Sequence, residues 1–471
     1  MKTMTRREFI RSSALATAAS SVPFSLKSSS AASLPKHPNV VFIAIEDFSP
    51  QRLGCSGGPV KSPNIDRLAS EGVLFEKAYC MSPVCNASRT ALFTGLRPDT
   101  TRIFGNAQDW RKALPGVTTM PMHFRKHGYD TTRIGKMFHG QWEHDQSWTQ
   151  ISPELHDPKA ARPKRKQIAP AKPAAGRARN DNLRWGPTGN DPQLDRDGQI
   201  AEQAIRFLAR THARPFFLGV GLHSPHLAFR APDTFHQMYP PEKIRIPQNP
   251  RDDLEDTPIR ETHSDYQRLT VAEWREVISA HYAAISYADW CVGKILDGVR
   301  QTGRESDTII IVWSDHGFML GEHFLWRKVN LYEESARVAF IWKVPGLTPK
   351  GARCSRVVES IDLFPTLFDL CNIPQPEKIE GISMRELLKA PSRTWKKGAI
   401  TWRAGNGDMV AVQTERYRLN KRLSDGFLEL YDHQTDPGEF RNVAGDDRYQ
   451  DAVAKLTELL DGGWKACLPP S

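Results

Sequence analysis

Thr308-Ile309-Ile310-Ile311-Val312-Trp313-Ser314-Asp315-His316-Gly317 decides the reading of this chain. From Thr308 to Trp313 the run is β-branched and aromatic without a break, as expected of a strand buried on both faces. An acid and an imidazole follow at once, and polar groups placed directly after a buried strand are costly unless they are used. The same order recurs upstream. Asn39 to Ile45 leads into Glu46-Asp47, and Pro215 to Gly221 leads to His223 and His226. Val338 to Val344 reads as a further buried strand. Helical patterns lie between and around these runs at Ile65 to Glu71, Ser88 to Thr94, Gly198 to Arg210, Val271 to Val299 and Leu363 to Cys371. This alternation predicts an α/β fold, a large mainly parallel sheet sandwiched by helices, whose ligands bind at the carboxyl ends of the strands.

From about Lys397 the pattern changes to short strands, at Ala399 to Arg403, Met409 to Thr414, Tyr417 to Lys421 and Phe427 to Tyr431, followed by a helix from about Tyr449 to Leu460. A small C-terminal antiparallel sheet with a helix packed on it is expected. The predicted division is therefore an α/β domain over 34–396 and an α+β subdomain over 397–471. Residues 1–33 stand apart. Thr5-Arg6-Arg7-Glu8-Phe9-Ile10-Arg11, the apolar run Ala14 to Ala19 and the small residues Ala31-Ala32-Ser33 read as a twin-arginine export signal, which implies a bacterial periplasmic or secreted protein. The basic N-terminus of a cytosolic protein is the competing reading. No later stretch is long and apolar enough to span a bilayer.

The net charge of +10 is concentrated, because residues 159–184 hold nine Lys or Arg against Asp181 alone, a net of +8. Four prolines, at 158, 163, 170 and 173, exclude a regular helix there, so the run is expected to be an exposed loop. It lacks the interleaved aromatics of a nucleic-acid surface. Two readings remain for it, a patch that attracts a polyanion and a merely solvated insertion. Seven cysteines are present, and Cys354 with Cys371 is the disulfide candidate on nearness alone.

Cys85-Asn86-Ala87-Ser88-Arg89, running into Thr90-Ala91-Leu92-Phe93-Thr94-Gly95, places a cysteine just ahead of a Ser-initiated helix with an arginine close by. Unpaired backbone N–H groups, the helix dipole and the guanidinium all favour an anionic reacting group. A buried or bridged cysteine followed by a Ser88 helix cap is the ordinary alternative.

This segment resembles the signature of the type I sulfatases, in which cysteine is oxidised to formylglycine; Ala87 stands where proline is commoner. The resemblance extends from Asn39 to the C-terminus and is strongest to iduronate-2-sulfatase-like members. Ser62-Pro63-Asn64-Ile65-Asp66, Arg97-Pro98-Asp99-Thr100-Thr101-Arg102 and Gly135-Lys136-Met137-Phe138-His139 carry it, as does Leu430-Tyr431-Asp432 with Asp436-Pro437-Gly438-Glu439. It implies an alkaline-phosphatase-like fold, and a calcium ion held by Glu46, Asp47, Asp315 and His316 together with residue 85. Glu46 departs from the usual aspartate. Charge on the sulfate and proton transfer fall by the same resemblance to Arg89, Lys136, His139, His226 and Lys328. Ser224 and Ala228 replace the usual lysine and proline beside His226.

The implied reaction is attack on sulfur by one hydroxyl of a hydrated formylglycine at position 85, assisted by Asp315. His226 protonates the leaving sugar oxygen, and His139 is the base for release of sulfate through the second hydroxyl. The expected substrate is a sulfated glycan, with a 2-O-sulfated uronic acid preferred, and the expected partner is a formylglycine-generating maturation enzyme. Phosphoester hydrolysis on the same fold and non-catalytic binding of a sulfated glycan are the alternatives. Specificity is expected from the loops 140–195 and 228–270.

Overall fold

The computed structural model describes residues 34–151, 172–173, 183–260, 264–404 and 408–469. The expected export signal lies outside the described residues, as does the basic segment except at 172–173 and 183–184. Residues Ser33–Ser471 pack as one compact unit.

Its centre is an eight-stranded sheet. The strands are β1 (Asn39–Ile45), β2 (Val73–Tyr79), β3 (Asp130–Gly135), β4 (Gln150–Ile151), β5 (Phe216–Leu222), β6 (Thr308–Ser314), β7 (Phe340–Lys343) and β8 (Ala352–Glu359). They lie in the order β8-β2-β7-β6-β1-β5-β3-β4. Every pairing is parallel except those of β7, which runs antiparallel to β2 and β6.

Side chains alternate across a strand, and in β1 both faces are buried. Val41, Ile43 and Ile45 pack with α1 (Pro63–Glu71), α3 (Arg196–Leu208) and the long α4 (Val271–Gln301). Val40, Phe42 and Ala44 pack on the other side with α2 (Cys85–Thr94) and α5 (Leu363–Leu370). That is why β1 and β6 read as continuous apolar runs. The α4 helix starts in a capping box, Thr270 with Glu273, which satisfies donors that an uncapped end would strand.

A second sheet follows as expected, β9 (Ala399–Arg403), β10 (Met409–Gln413), β11 (Tyr417–Arg422) and β12 (Leu428–Asp432), wholly antiparallel, with α6 (Gln450–Asp461) against it. All seven cysteines are free, so the Cys354–Cys371 bridge is not formed. The two thiols sit in separate surroundings: Cys354 Sγ donates to Pro391 O at 3.2 Å, while Cys371 lies beside Tyr129. No helix among the described residues is long and apolar enough to cross a membrane.

Candidate active site at the carboxyl ends of the central strands

Register decides which side chains meet. Ile45 of β1 lies opposite Ser314 of β6 and Leu222 of β5, and Gly135 of β3 lies opposite Gly221 of β5. The residues that come next, Glu46-Asp47, Asp315-His316, His223 to His226 and Lys136 to His139, are thereby delivered side by side at one end of the sheet. Gly135 and Gly221 are needed for this approach, because a Cβ on either would run into backbone at the end of the neighbouring strand.

Helix α2 closes the same end. It begins at Cys85 itself, three residues earlier than the sequence suggests, with Val84 as N-cap and no capping side chain. Ser88 is therefore not the cap; its hydroxyl donates to Asp315 O at 2.5 Å and ties the helix to the end of β6. Cys85 is fully buried at the positive end of the helix dipole. Its Sγ lies 3.0 Å from Lys328 Nζ, 3.2 Å from His316 Nε2 and 4.0 Å from Asp47 Oδ1. Burial pushes the thiol up to about 12 against the pull of Lys328, so it is not a ready thiolate at neutral pH.

The carboxylates of Glu46, Asp47 and Asp315 are all buried here. Arg89, also fully buried, donates from Nε to Asp315 Oδ2 at 2.9 Å and from Nη1 to the carbonyls of Lys136 and Met137, which leaves Nη2 without a hydrogen-bond partner. Lys136 pairs with Glu46, and Lys328 pairs with Asp47. Burial draws the Lys136 ammonium down to about 7, whereas the neighbouring acids hold Lys328 above its usual value despite burial. His226 Nε2 stands 3.7 Å from Asp47 Oδ2 and 4.0 Å from Glu46 Oε1. Asp47 raises its pKa, but burial and the two lysines outweigh that and the net shift is downward. His139 is pushed down to about 3 by burial and by Lys136 and Arg89, and its Nδ1 has no hydrogen-bond partner. The structure thus gathers all ten residues singled out from the sequence. The sequence pattern gives no role to His223, whose Nδ1 is 3.7 Å from Glu46 Oε2; its position directly after β5, beside His226, is the signal that could have found it.

The donor set fits a hard divalent cation. Two clusters of ligand atoms, Glu46, Cys85 and His226 in one and Asp47, Cys85 and His316 in the other, share the Cys85 position. The His316 Nδ1–H donates to Gly317 O at 2.9 Å, which leaves the Nε2 lone pair facing Asp47 Oδ1 at 3.4 Å and the thiol. Burial keeps this imidazole neutral, down to about 4, the form that ligates metals. Asp315 Oδ1 accepts from the N–H groups of Asp47 and His316, both at 3.1 Å, and its pKa is held below the usual carboxylate range by His316, Arg89 and the lysines despite burial. Carboxylate-rich sites of this kind suit calcium.

A sulfatase family model matches residues 38–373, and a model described as N-sulphoglucosamine sulphohydrolase, C-terminal, matches residues 321–464. The chain belongs to the sulfatase family. It is a sulfuric ester hydrolase. A sulfatase of Formosa agariphila is 30% identical over 450 residues, covering 90% of this chain and 86% of that one. Iduronate 2-sulfatase of Mus musculus is 33% identical over 393 residues, covering 72% of this chain and 70% of its own. Among solved structures, one described as in complex with its substrate D-glucosamine-2-N,6-O-disulfate superposes with a TM-score of 0.73 at 20% identity, covering 91% of this chain and 98% of that one. That likeness establishes the alkaline-phosphatase-like fold of this sulfatase.

Proposed function

We propose that this sulfatase is exported, matures by oxidation of Cys85 to formylglycine, uses calcium, and hydrolyses sulfate esters of a glycan, preferring 2-O-sulfated uronic acid. The observation that carries the reading is the buried Cys85 thiol at a helix N-terminus, ringed by Lys328, His316 and the acids of two strand ends. A thiol held near 12 is a poor nucleophile as it stands, which favours its conversion. Formylglycine supplies a hydrated aldehyde with one hydroxyl to attack sulfur and another to release sulfate. Glu46, Asp47, Asp315 and His316 would hold the calcium ion, which supplies positive charge where negative charge develops.

The remaining tasks belong to the chain's own side chains. Lys136, Lys328 and the unpartnered Nη2 of Arg89 are suited to offset charge on the non-bridging sulfate oxygens, in a site where they need not reorganise. His226 Nδ1–H donates to Leu227 O at 2.7 Å, so Nε2 is the atom free to take up a proton and, once protonated, to pass it to the leaving oxygen. Its side chain is 38% exposed, as a group meeting the outgoing sugar must be. His139, neutral at pH 7, can accept a proton.

A glycan substrate is supported by what two relatives act on by name, iduronate 2-sulfatase and the ulvan-active sulfatase of Formosa agariphila. Peptide mass spectrometry tests maturation: the Cys85 peptide should weigh about 18 Da less than its thiol form, as for oxidation of a thiol to an aldehyde. Cys85→Ala should abolish turnover of an aryl sulfate and leave the fold intact. Full turnover by protein with an unmodified Cys85 refutes the proposal.

A further inference from the structure

Beside the catalytic centre lies a cavity of about 280 Å³ whose lining includes His226, His223, Ala228, Arg196 and Arg230. A sugar whose leaving oxygen faces His226 has this space beside it. Arg196 is the first residue of α3, capped by Asp195, whose side chain accepts from the Arg196 backbone N–H at 2.9 Å. It is an exposed residue, and its guanidinium makes no hydrogen bond or ion pair among the described residues.

The neighbouring acid does not claim it. Asp197 is buried, and its two oxygens accept from the N–H groups of His223 at 3.0 Å and Ser224 at 2.7 Å. The other cations of the site are engaged: Arg89 with Asp315, Lys136 with Glu46, Lys328 with Asp47, and Arg230 with Pro187 O at 2.9 Å. A cation that forms no ion pair among the described residues, in the cavity beside His226, is fitted to a second anionic group on the same ring.

We infer that Arg196 is a specificity-determining residue that binds the carboxylate of a sulfated uronic acid. The guanidinium fork matches a carboxylate in two parallel hydrogen bonds, a geometry that neither a hydroxymethyl group nor a lysine reproduces. The inference rests on the glycan-sulfatase reading and deepens it, since it places the carboxylate on the α3 side of His226. No part of it needs the basic segment 159–184.

The experiment compares a 2-O-sulfated uronic acid disaccharide with its carboxyl-reduced counterpart, using mature protein and the variants Arg196→Ala and Arg196→Lys. Wild type should prefer the carboxylate form by about 10- to 100-fold in kcat/KM, the discrimination expected of a hydrogen bond to a charged group, and mostly through KM. Arg196→Ala should lose that preference, and Arg196→Lys should keep part of it. A preference that survives intact in Arg196→Ala, or a wild type that turns over both substrates equally, overturns the inference. Failure of the glycan-sulfatase reading shows differently, as no turnover of either disaccharide by wild type. Calorimetric binding of the same uronate disaccharide then reads the subsite directly: weaker binding by Arg196→Ala supports it, and equal affinity overturns it.

Discussion

Replacing Lys328 by Met separates the charge of this side chain from its length. The Lys328 ammonium pairs with Asp47 and lies 3.0 Å from Cys85 Sγ, and the side chain is only 13% exposed. Met fills similar space with a flexible apolar chain, so packing changes little. Two losses should follow. Removing one partner of a buried ion pair strands the other, at a cost of about 3–5 kcal/mol. For a chain of this size that corresponds to a fall in Tm of about 3–5 °C, since the unfolding entropy scales with length. Removing a positive group from the place where charge develops should lower kcat by about 10²–10³-fold. Turnover of an aryl sulfate and calorimetric melting of the same preparation measure both, with mass spectrometry of the Cys85 peptide to show that maturation is unaffected. A variant that keeps kcat within about threefold of wild type would refute the assignment, because an oxyanion-type contact is worth far more than that. So would a loss of activity that tracks the folded fraction alone.

Three further outcomes follow from the same geometry. Chelation should lower both Tm and turnover, as for any ligand bound by the native state alone, and calcium should restore them; full turnover in exhaustively chelated protein refutes the metal assignment. Glu46→Asp should retain partial activity, because a carboxylate remains but its reach toward Lys136 shortens; complete loss with an unchanged Tm would show that the longer side chain is indispensable. Burial alone would raise the Glu359 carboxyl, but Arg97 and Lys396 hold it at about 2, so its contribution is present above the unfolded value near 4.5 and lost as pH falls from there towards 2. The stability at stake is about 3 kcal/mol, and Glu359→Gln should flatten acid denaturation over that window; an unchanged acid limb would contradict it.

The central strands were legible because they are buried on both faces. The sequence reading of β1 matches its observed bounds, and that of β6 differs by one residue. β7 is shorter than its apolar run, and nothing in Val338 to Val344 reveals that it runs antiparallel. β2, β3 and β8 escape the pattern because charges interrupt them: Glu76 and Lys77 in β2, Arg133 in β3, and Arg353 and Arg356 in the edge strand β8. The site residues on strand ends and on α2 were legible through motif resemblance, since their meeting depends on register that no single segment carries. Arg196 was not, because its neighbours along the wall of the cavity are remote in sequence, and His223 was visible only as a polar residue after a buried strand, without its partner Glu46.

Lys328 itself shows how the second sheet enters the chemistry. It lies in a segment where His323, Phe324, Arg327 and Val329 all adopt left-handed backbone, costly for such residues and most of all for a β-branched valine. Such a conformation persists only where its surroundings over-determine it. Here Arg403 of β9 donates to Val329 O at 2.6 Å, and Tyr332 stacks on His323, whose Nδ1 is 3.1 Å from Asp253. Met319, Leu325, Leu331 and Tyr332 pack in one cluster with Met409 and Ala411 of β10 and Tyr431 of β12. Behind them, Arg418 of β11 bridges Glu333 at 2.7 Å and Glu439 at 2.6 Å, all buried. The C-terminal sheet therefore does for Lys328 what parallel register does for Glu46, Asp315 and Lys136. It fixes a strained turn so that one ammonium points at residue 85, and the catalytic centre depends on both sheets although only one of them carries the strand ends.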